Sequence, residues 1–403
     1  MLMNDDLERQ APLSLKFDGK PFWPDLLKEI GVDETGAAIA LAICAVPDFV
    51  SYSRTARHYD LPARFRSPLY TWRKVRGQVD LLDQAGLIDH DRRPPGVRGW
   101  QSAMKATPEL RAIVQGVTEG QKPKLIRPSE VILLRDRDKR LIDYPDTRAL
   151  DRMRDKVEAF NEAITSSNIA WPDGNLLDCH MVRIFNETWQ RGGRFYGMGP
   201  SWQNMNTEMR RRIMIDGEPV VELDFKTLHP SILYAEAGLA RPADCYAIEG
   251  WPRDLGKIAL LTLINAKTVH DARLSIAHSD GRKLDPLTRQ PVTGDDDKQL
   301  MQSLATPGSH EALALAARLI EALKILHAPI AGRFHKDEGA RLMHIDSAMA
   351  EVVMNSLLLM KGVVVLPVHD SFLVPASKRD ELEAAMIEAA DKIAHLAATV
   401  EAK

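Results

Sequence analysis

Residues 220–238 read VVELDFKTLHPSILYAEAG, and the fold turns on this stretch. The apolar run from Val220 to Leu223 predicts a strand, with Asp224 at its end. Pro230 suits the first turn of a following helix, Ile232 and Leu233 would face inward, and Gly238 would close it. A strand-end aspartate next to a helix is most often an N-cap. The other reading is a carboxylate held on a rigid element for chemistry.

Working outward, residues 343–375 read MHIDSAMAEVVMNSLLLMKGVVVLPVHDSFLVP. Met349, Val352, Val353, Ser356, Leu357 and Met360 follow helical spacing, and Gly362 caps the end. The runs VVVLPV and SFLVP then flank His369 and Asp370 like a hairpin with a polar tip. Such a tip commonly makes only local hydrogen bonds, but flanking strands would also hold a second carboxylate rigidly. Two strand-end aspartates suit hard cations, since Mg²⁺ takes oxygen ligands and shares one or two carboxylates with substrate phosphates. Two ions roughly 3.5–4 Å apart can activate an attacking oxygen and stabilise a leaving one.

Two more segments carry charge in useful places. In PRDLGKIALLTLINAKT (residues 252–268), Pro252 fits a helix start, and Arg253 and Lys257, four apart, share one face. A planar fork beside a point charge suits a triphosphate, although a solvated basic face has the same spacing. In RGGRFYGMGPSWQNMNTEMRRR (residues 191–212), paired glycines, aromatics and five arginines suit a backbone that closely approaches nucleic acid. A glycine-rich turn before a basic helix would look the same.

The rest of the chain sets the frame. Its 403 residues are 45% hydrophobic and 27% charged, enough for two or three cores and against wholesale disorder. The start, MLMNDDLERQ, lacks the apolar region of a secretory signal, and residues 35–46 are too short to span a bilayer. Cys44, Cys179 and Cys245 form no CxxC, which argues against a disulfide framework or zinc site and for a reducing cytoplasm. The net charge of −3 hides an imbalance, because residues 51–127 carry 15 Lys/Arg against 7 Asp/Glu.

Within that basic block, residues 35–46 predict an apolar helix ended by Pro47. Residues 67–88 predict another, with Tyr70, Trp72, Val75, Val79 and Leu82 inward and Arg73, Lys74 and Arg76 outward, ended at Gly86. DHDRRPPGVRGWQSAMKATPEL, which follows, predicts an arginine-rich hairpin. Helix, basic helix and basic hairpin resemble a winged helix-turn-helix domain, whose recognition helix enters the major groove while the wing meets phosphates. A small helical domain with an ordinary charged surface has the same pattern. A boundary is expected at residues 122–128, a strand at 129–136 and a helix at 148–167. Residues 281–298 predict a polar loop whose three aspartates (295–297) are best read as solvated.

The order of the four charged segments resembles the polymerase domain of family A DNA polymerases and the related single-subunit, phage-type RNA polymerases. GGR at 192–194 followed by WQNMN at 202–206 resembles the TGR and LQNIP signatures that touch primer-template. LDFKTLHPSIL resembles motif A, RDLGKIALLTLINA motif B and VHDSF motif C. The resemblance implies Asp224 and Asp370 as metal ligands for two Mg²⁺ (Mn²⁺ as an alternative) and as catalytic residues together with Lys257. It implies triphosphate contacts from Arg253 and Lys257, and nucleic-acid contacts from Arg194, Gln203, His344 and His369. His229 occupies the motif A position of the DNA polymerases' sugar gate.

Departures are also plain. Asn265 and Ala266 stand where motif B carries an aromatic and a glycine at the nucleotide, and Ser371 replaces a motif C glutamate, as in the RNA-polymerase branch. The expected architecture is α+β, in three parts. Residues 1–34 form a leading segment, 35–120 a winged-helix-like DNA-binding domain, and 121–403 a right-hand polymerase with palm, fingers and reduced thumb. The expected function is template-directed DNA synthesis from nucleoside triphosphates on a DNA primer-template, in the cytoplasm and away from membranes, for a plasmid, phage or mobile element. A small RNA polymerase or primase, and an inactive DNA-binding regulator, are the rivals.

Overall fold

The computed structural model describes residues 11–12, 20–45, 49–92, 101–121, 130–172, 174, 180–198, 201–279 and 300–403. The expected boundary at 122–128, the tip of the arginine-rich hairpin (93–100) and the polar loop at 281–298 lie outside them. The described chain is α+β and divides into two compact units. One runs to Arg183 and takes in Tyr196–Asn206; the other contains Ile184–Phe195, 207–279 and 300–403.

The first unit begins with helices Trp23–Ile30 and Glu34–Cys44. Asp33 starts the second by accepting hydrogen bonds from the amides of Thr35 and Gly36, at 2.7 and 3.1 Å. Its small and branched residues are buried almost all round, so it forms the centre of a core shared with Val50, Tyr52, Val75, Val79, Leu82, Met104 and Leu110. The helix expected over 67–88 spans Trp72–Gln84. Pro68 and a turn closed by Tyr70 precede it, and Gly86, at φ +70°, ends it as read. Val75, Val79 and Leu82 are buried, Tyr70 and Trp72 half-buried, and Arg73, Lys74 and Arg76 exposed.

Strand Ile88–Asp91 pairs antiparallel with Ser102–Ala106, which pairs antiparallel with Val50–Tyr52. Helix Pro108–Thr118 follows, capped by Thr107. Strand Ile132–Arg135 and helix Arg148–Thr165 match the expected elements to within a few residues. Glu130, buried ahead of that strand, pairs with Arg64 and Arg154.

The second unit is organised on strand Glu218–Phe225. One edge pairs with Ser371–Pro375, which forms a hairpin with Leu366–Val368; the other pairs with Met214–Ile215 and with Val400–Ala402. Helices Leu228–Glu236, Arg253–Asn265, Val269–Ala277, His310–Leu326, Gly339–Met354 and Arg379–Ala394 belong to the same unit. By length and composition alone, 339–360 is apolar enough to cross a membrane. Its first part, helix Gly339–Met354, buries Leu342, Met349, Val353 and Asp346.

Candidate active site

Strand Glu218–Phe225 carries Asp224 next to its end, where the chain turns into helix Leu228–Glu236. Thr227, in that turn, adopts the left-handed conformation at φ +56°, which disfavours a β-branched residue. The neighbouring hairpin turns over two residues, His369 and Asp370, with His369 also left-handed at φ +62°. Register fixes the rest: Asp224 faces Ser371 across the strands, and the Phe225 amide donates to the Asp370 carbonyl at 3.4 Å. Both aspartates thus stand at one end of one strand pair.

Their electrostatics are unusual. Among the described residues, Asp224 has a carboxylate oxygen, Oδ1, that is buried without a hydrogen-bond partner. Burial first, and then the charge of Asp370, push its pKa from 3.8 up to about 6. Its other oxygen, Oδ2, lies 3.2 Å from the ammonium of Lys403. Glu222, two residues back on the same strand face, is buried. It accepts from Arg210 at 2.8 and 3.0 Å and from the Ser371 hydroxyl at 2.7 Å. Burial pushes the Glu222 carboxyl up, but Arg210 and Ser371 outweigh it and hold the pKa below its ordinary value. Glu222 is therefore a fixed anion beneath Asp224.

The donor set fits a hard cation shared with a phosphate. Asp224 offers an unpartnered oxygen, a second carboxylate stands beside it, and a dication would relieve their mutual repulsion. Among the described residues no three His, Cys, Asp or Glu side chains converge into a closed protein cage.

A second cluster lies in the same unit around Asp346, whose side chain is 1% exposed. Arg194 reaches it in a bidentate pair, with Nε at 3.0 and 3.1 Å from the two oxygens. His229 Nε2 lies 2.9 Å from its Oδ2. Three elements thus meet on one carboxylate: strand Thr188–Met198, helix Leu228–Glu236 and helix Gly339–Met354. The paired glycines before Arg194 serve this packing. A Cβ on Gly192 would lie 2.5 Å from the Asn186 amide, and one on Gly193 would lie 2.7 Å from the Phe185 ring. Both glycines thus bring the backbone close to the protein's own chain. His344, on the same helix as Asp346, lies 6.3 Å from the Phe185 ring. Burial, then nearby Arg194, hold the His369 pKa below its ordinary value.

Helix Arg253–Asn265 begins at Pro252, as read. Arg253 is paired with Asp244 at 2.6 and 3.2 Å and lies over the Tyr246 ring, 5.3 Å from its centroid. Lys257 is exposed, and its ammonium is 5.8 Å from the same centroid. At the far end, Asn265 is exposed and donates to the Leu261 carbonyl at 2.7 Å. It also abuts Gly339, where an added Cβ would fall 1.6 Å from the Asn265 oxygen.

The remaining site residues read from the sequence belong to the first unit. Gln203 accepts from the Gly197 amide at 3.0 Å. Arg73 is exposed, Lys74 donates to the Pro68 carbonyl at 2.8 Å, and Arg76 reaches Asp80 at 3.6 Å. Sequence reading missed Glu222, Asp346 and Lys403, and it counted Arg210 among the arginines suited to nucleic acid, whereas Arg210 is buried and paired with Glu222. Strand alternation already places Glu222 on the face of Asp224; the other three come together only through tertiary packing.

No protein-family model matches this chain, and no curated protein matches it. Among solved structures, the chain is similar to the POL domain of Pol1 from M. smegmatis, in complex with DNA primer-template and dNTP. That likeness covers 99% of this chain and 68% of the other at 13% identity, with a TM-score of 0.30, too slight to carry an argument.

Proposed function

We propose that the chain is a template-directed nucleotidyltransferase, and specifically a DNA-directed DNA polymerase. The observation that carries the reading is the pair Asp224 and Asp370, held at one end of adjoining strands with a buried, unpartnered Asp224 oxygen. These two carboxylates would hold Mg²⁺ or Mn²⁺, which when bound activates an oxygen nucleophile and neutralises charge on the transferring phosphoryl group. In the reaction a primer 3′-hydroxyl oxygen bonds to the nucleotide α-phosphorus, the hydroxyl proton passes to solvent water, and the α–β bridging oxygen departs on pyrophosphate.

The chain's own residues orient the reactants. Arg253 and Lys257, stacked along Tyr246, form a basic face suited to a triphosphate. Asp346 fixes the imidazole of His229, which we assign as the side chain that crowds a ribose 2′-hydroxyl. Arg194, anchored by the same Asp346, His344, His369 and Gln203 are assigned to the primer-template side, and Asn265 to the nucleotide side. Helix Trp72–Gln84 exposes Arg73, Lys74 and Arg76 and leads into two antiparallel strands, an order that supports a winged-helix DNA-binding role. The test is primer extension with dNTPs or NTPs, in Mg²⁺ or Mn²⁺. Incorporation of dNTPs in preference to NTPs is expected; the reverse preference would make the chain an RNA polymerase or primase, and no incorporation would refute the reading.

A further inference from the structure

Strand Val400–Ala402 pairs antiparallel with the strand that carries Asp224, through Leu223 with Ala402, Asp224 with Glu401 and Phe225 with Val400. Two main-chain bonds extend this pairing. The Lys226 amide donates to the Thr399 carbonyl at 2.9 Å, and the Lys403 amide to the Glu222 carbonyl at 3.0 Å. An ion pair between Lys226 and Glu401 at 3.4 Å ties the strands again. Lys403 is thereby fixed on the face that bears Glu222 and Asp224. Its ammonium lies 3.2 Å from Asp224 Oδ2 and 3.5 Å from Glu222 Oε1.

We propose that Lys403 is a resident counter-cation of this carboxylate site, an ammonium that an entering divalent ion must displace from Asp224. It is then a positioning residue that sets how tightly the site takes metal. The proposal rests on the reading of Asp224 and Asp370 as cation ligands.

The geometry supports displacement over a permanent plug. Lys403 satisfies one oxygen of Asp224 and leaves the other, buried Oδ1, without a partner among the described residues, so the carboxylate is only half neutralised. Glu222 is locked by Arg210 and Ser371, which makes it a stationary acceptor onto which the ammonium can retreat without losing all ionic contact. The Lys403 side chain is 34% exposed, so its flexible stem has room to move. Without metal, the ammonium offsets the repulsion between Asp224 and its acidic neighbours. With metal, it would compete for the same lone pairs.

The test is a Mn²⁺ titration of the full chain, followed by the EPR signal of free Mn²⁺, so that no turnover is needed. Lys403→Gln should bind Mn²⁺ about tenfold tighter or more, because it removes a positive charge 3.2 Å from a carboxylate oxygen that would hold the ion. Lys403→Met provides a second neutral variant that retains the apolar stem, and Lys403→Arg, which keeps the charge, should stay near wild type. Equal or weaker binding by both neutral variants overturns the proposal, as does equal tightening by the arginine variant. Asp370→Asn separates this from the underlying reading. If it abolishes Mn²⁺ binding while the neutral variants match wild type, only the Lys403 proposal falls. If it binds as wild type does, or if no protein binds Mn²⁺, the carboxylate site itself is refuted and the proposal with it.

Discussion

Replacing Asp224 with asparagine should stabilise the metal-free protein while destroying the proposed activity. The carboxyl titrates at about 6 in the folded chain against an ordinary 3.8, because burial and Asp370 disfavour its charge. A raised acid pKa means that ionisation costs folding free energy. The cost is absent below pH 3.8, grows as pH rises, and is complete above about pH 6. At about 1.4 kcal/mol per pH decade, it amounts to at most about 3 kcal/mol at pH 8. The side chain is 20% exposed, and the asparagine also forfeits the Lys403 contact, so the expected net gain is about 1–3 kcal/mol. Urea unfolding in EDTA, followed by circular dichroism, should show that gain at pH 8 and its disappearance between pH 7 and pH 4. Added Mg²⁺ should stabilise wild type and leave the variant unmoved. A variant less stable than wild type at pH 8, or a difference independent of pH, would refute this account of the buried carboxylate.

Three further outcomes are expected. Lys257→Ala should raise the apparent KM for nucleotide, or lower kcat, with primer-template affinity unaltered; a change in DNA affinity alone would remove the basic helix from triphosphate binding. Asp346→Ala should cost about 3–5 kcal/mol in urea unfolding, since it leaves Arg194 and His229 without their buried partner. Substituting Arg73, Lys74 and Arg76 together by alanine should weaken duplex binding and flatten its log–log salt dependence by roughly 0.9 per lost phosphate contact, which a salt titration of fluorescence anisotropy would measure.

Much of the frame was legible from local pattern. The strand–turn–helix around Asp224, the two-residue hairpin at His369 and Asp370 and the helix begun by Pro252 follow from apolar runs and turn chemistry. So do Val75, Val79 and Leu82 inside and Arg73, Lys74 and Arg76 outside on one helix. Long-range pairing was not legible. Nothing local shows that Asp346 collects Arg194, 152 residues away, and His229, 117 away. Nor does anything in the sequence of residues 400–403 announce a strand edge beside Asp224. The paired glycines show the same limit: a need for close backbone approach was readable, but not that the approaching groups are Asn186 and Phe185.

The central claim is that Asp224 and Asp370 jointly support metal-dependent nucleotidyl transfer. It is tested most directly by Mg²⁺-dependent extension of a pre-annealed primer by wild type, Asp224→Asn and Asp370→Asn, with DNA affinity measured on the same preparations. The account predicts extension by wild type alone and equal DNA affinity in all three proteins. Substantial extension by either variant, or none by wild type in Mg²⁺ or Mn²⁺, would contradict it.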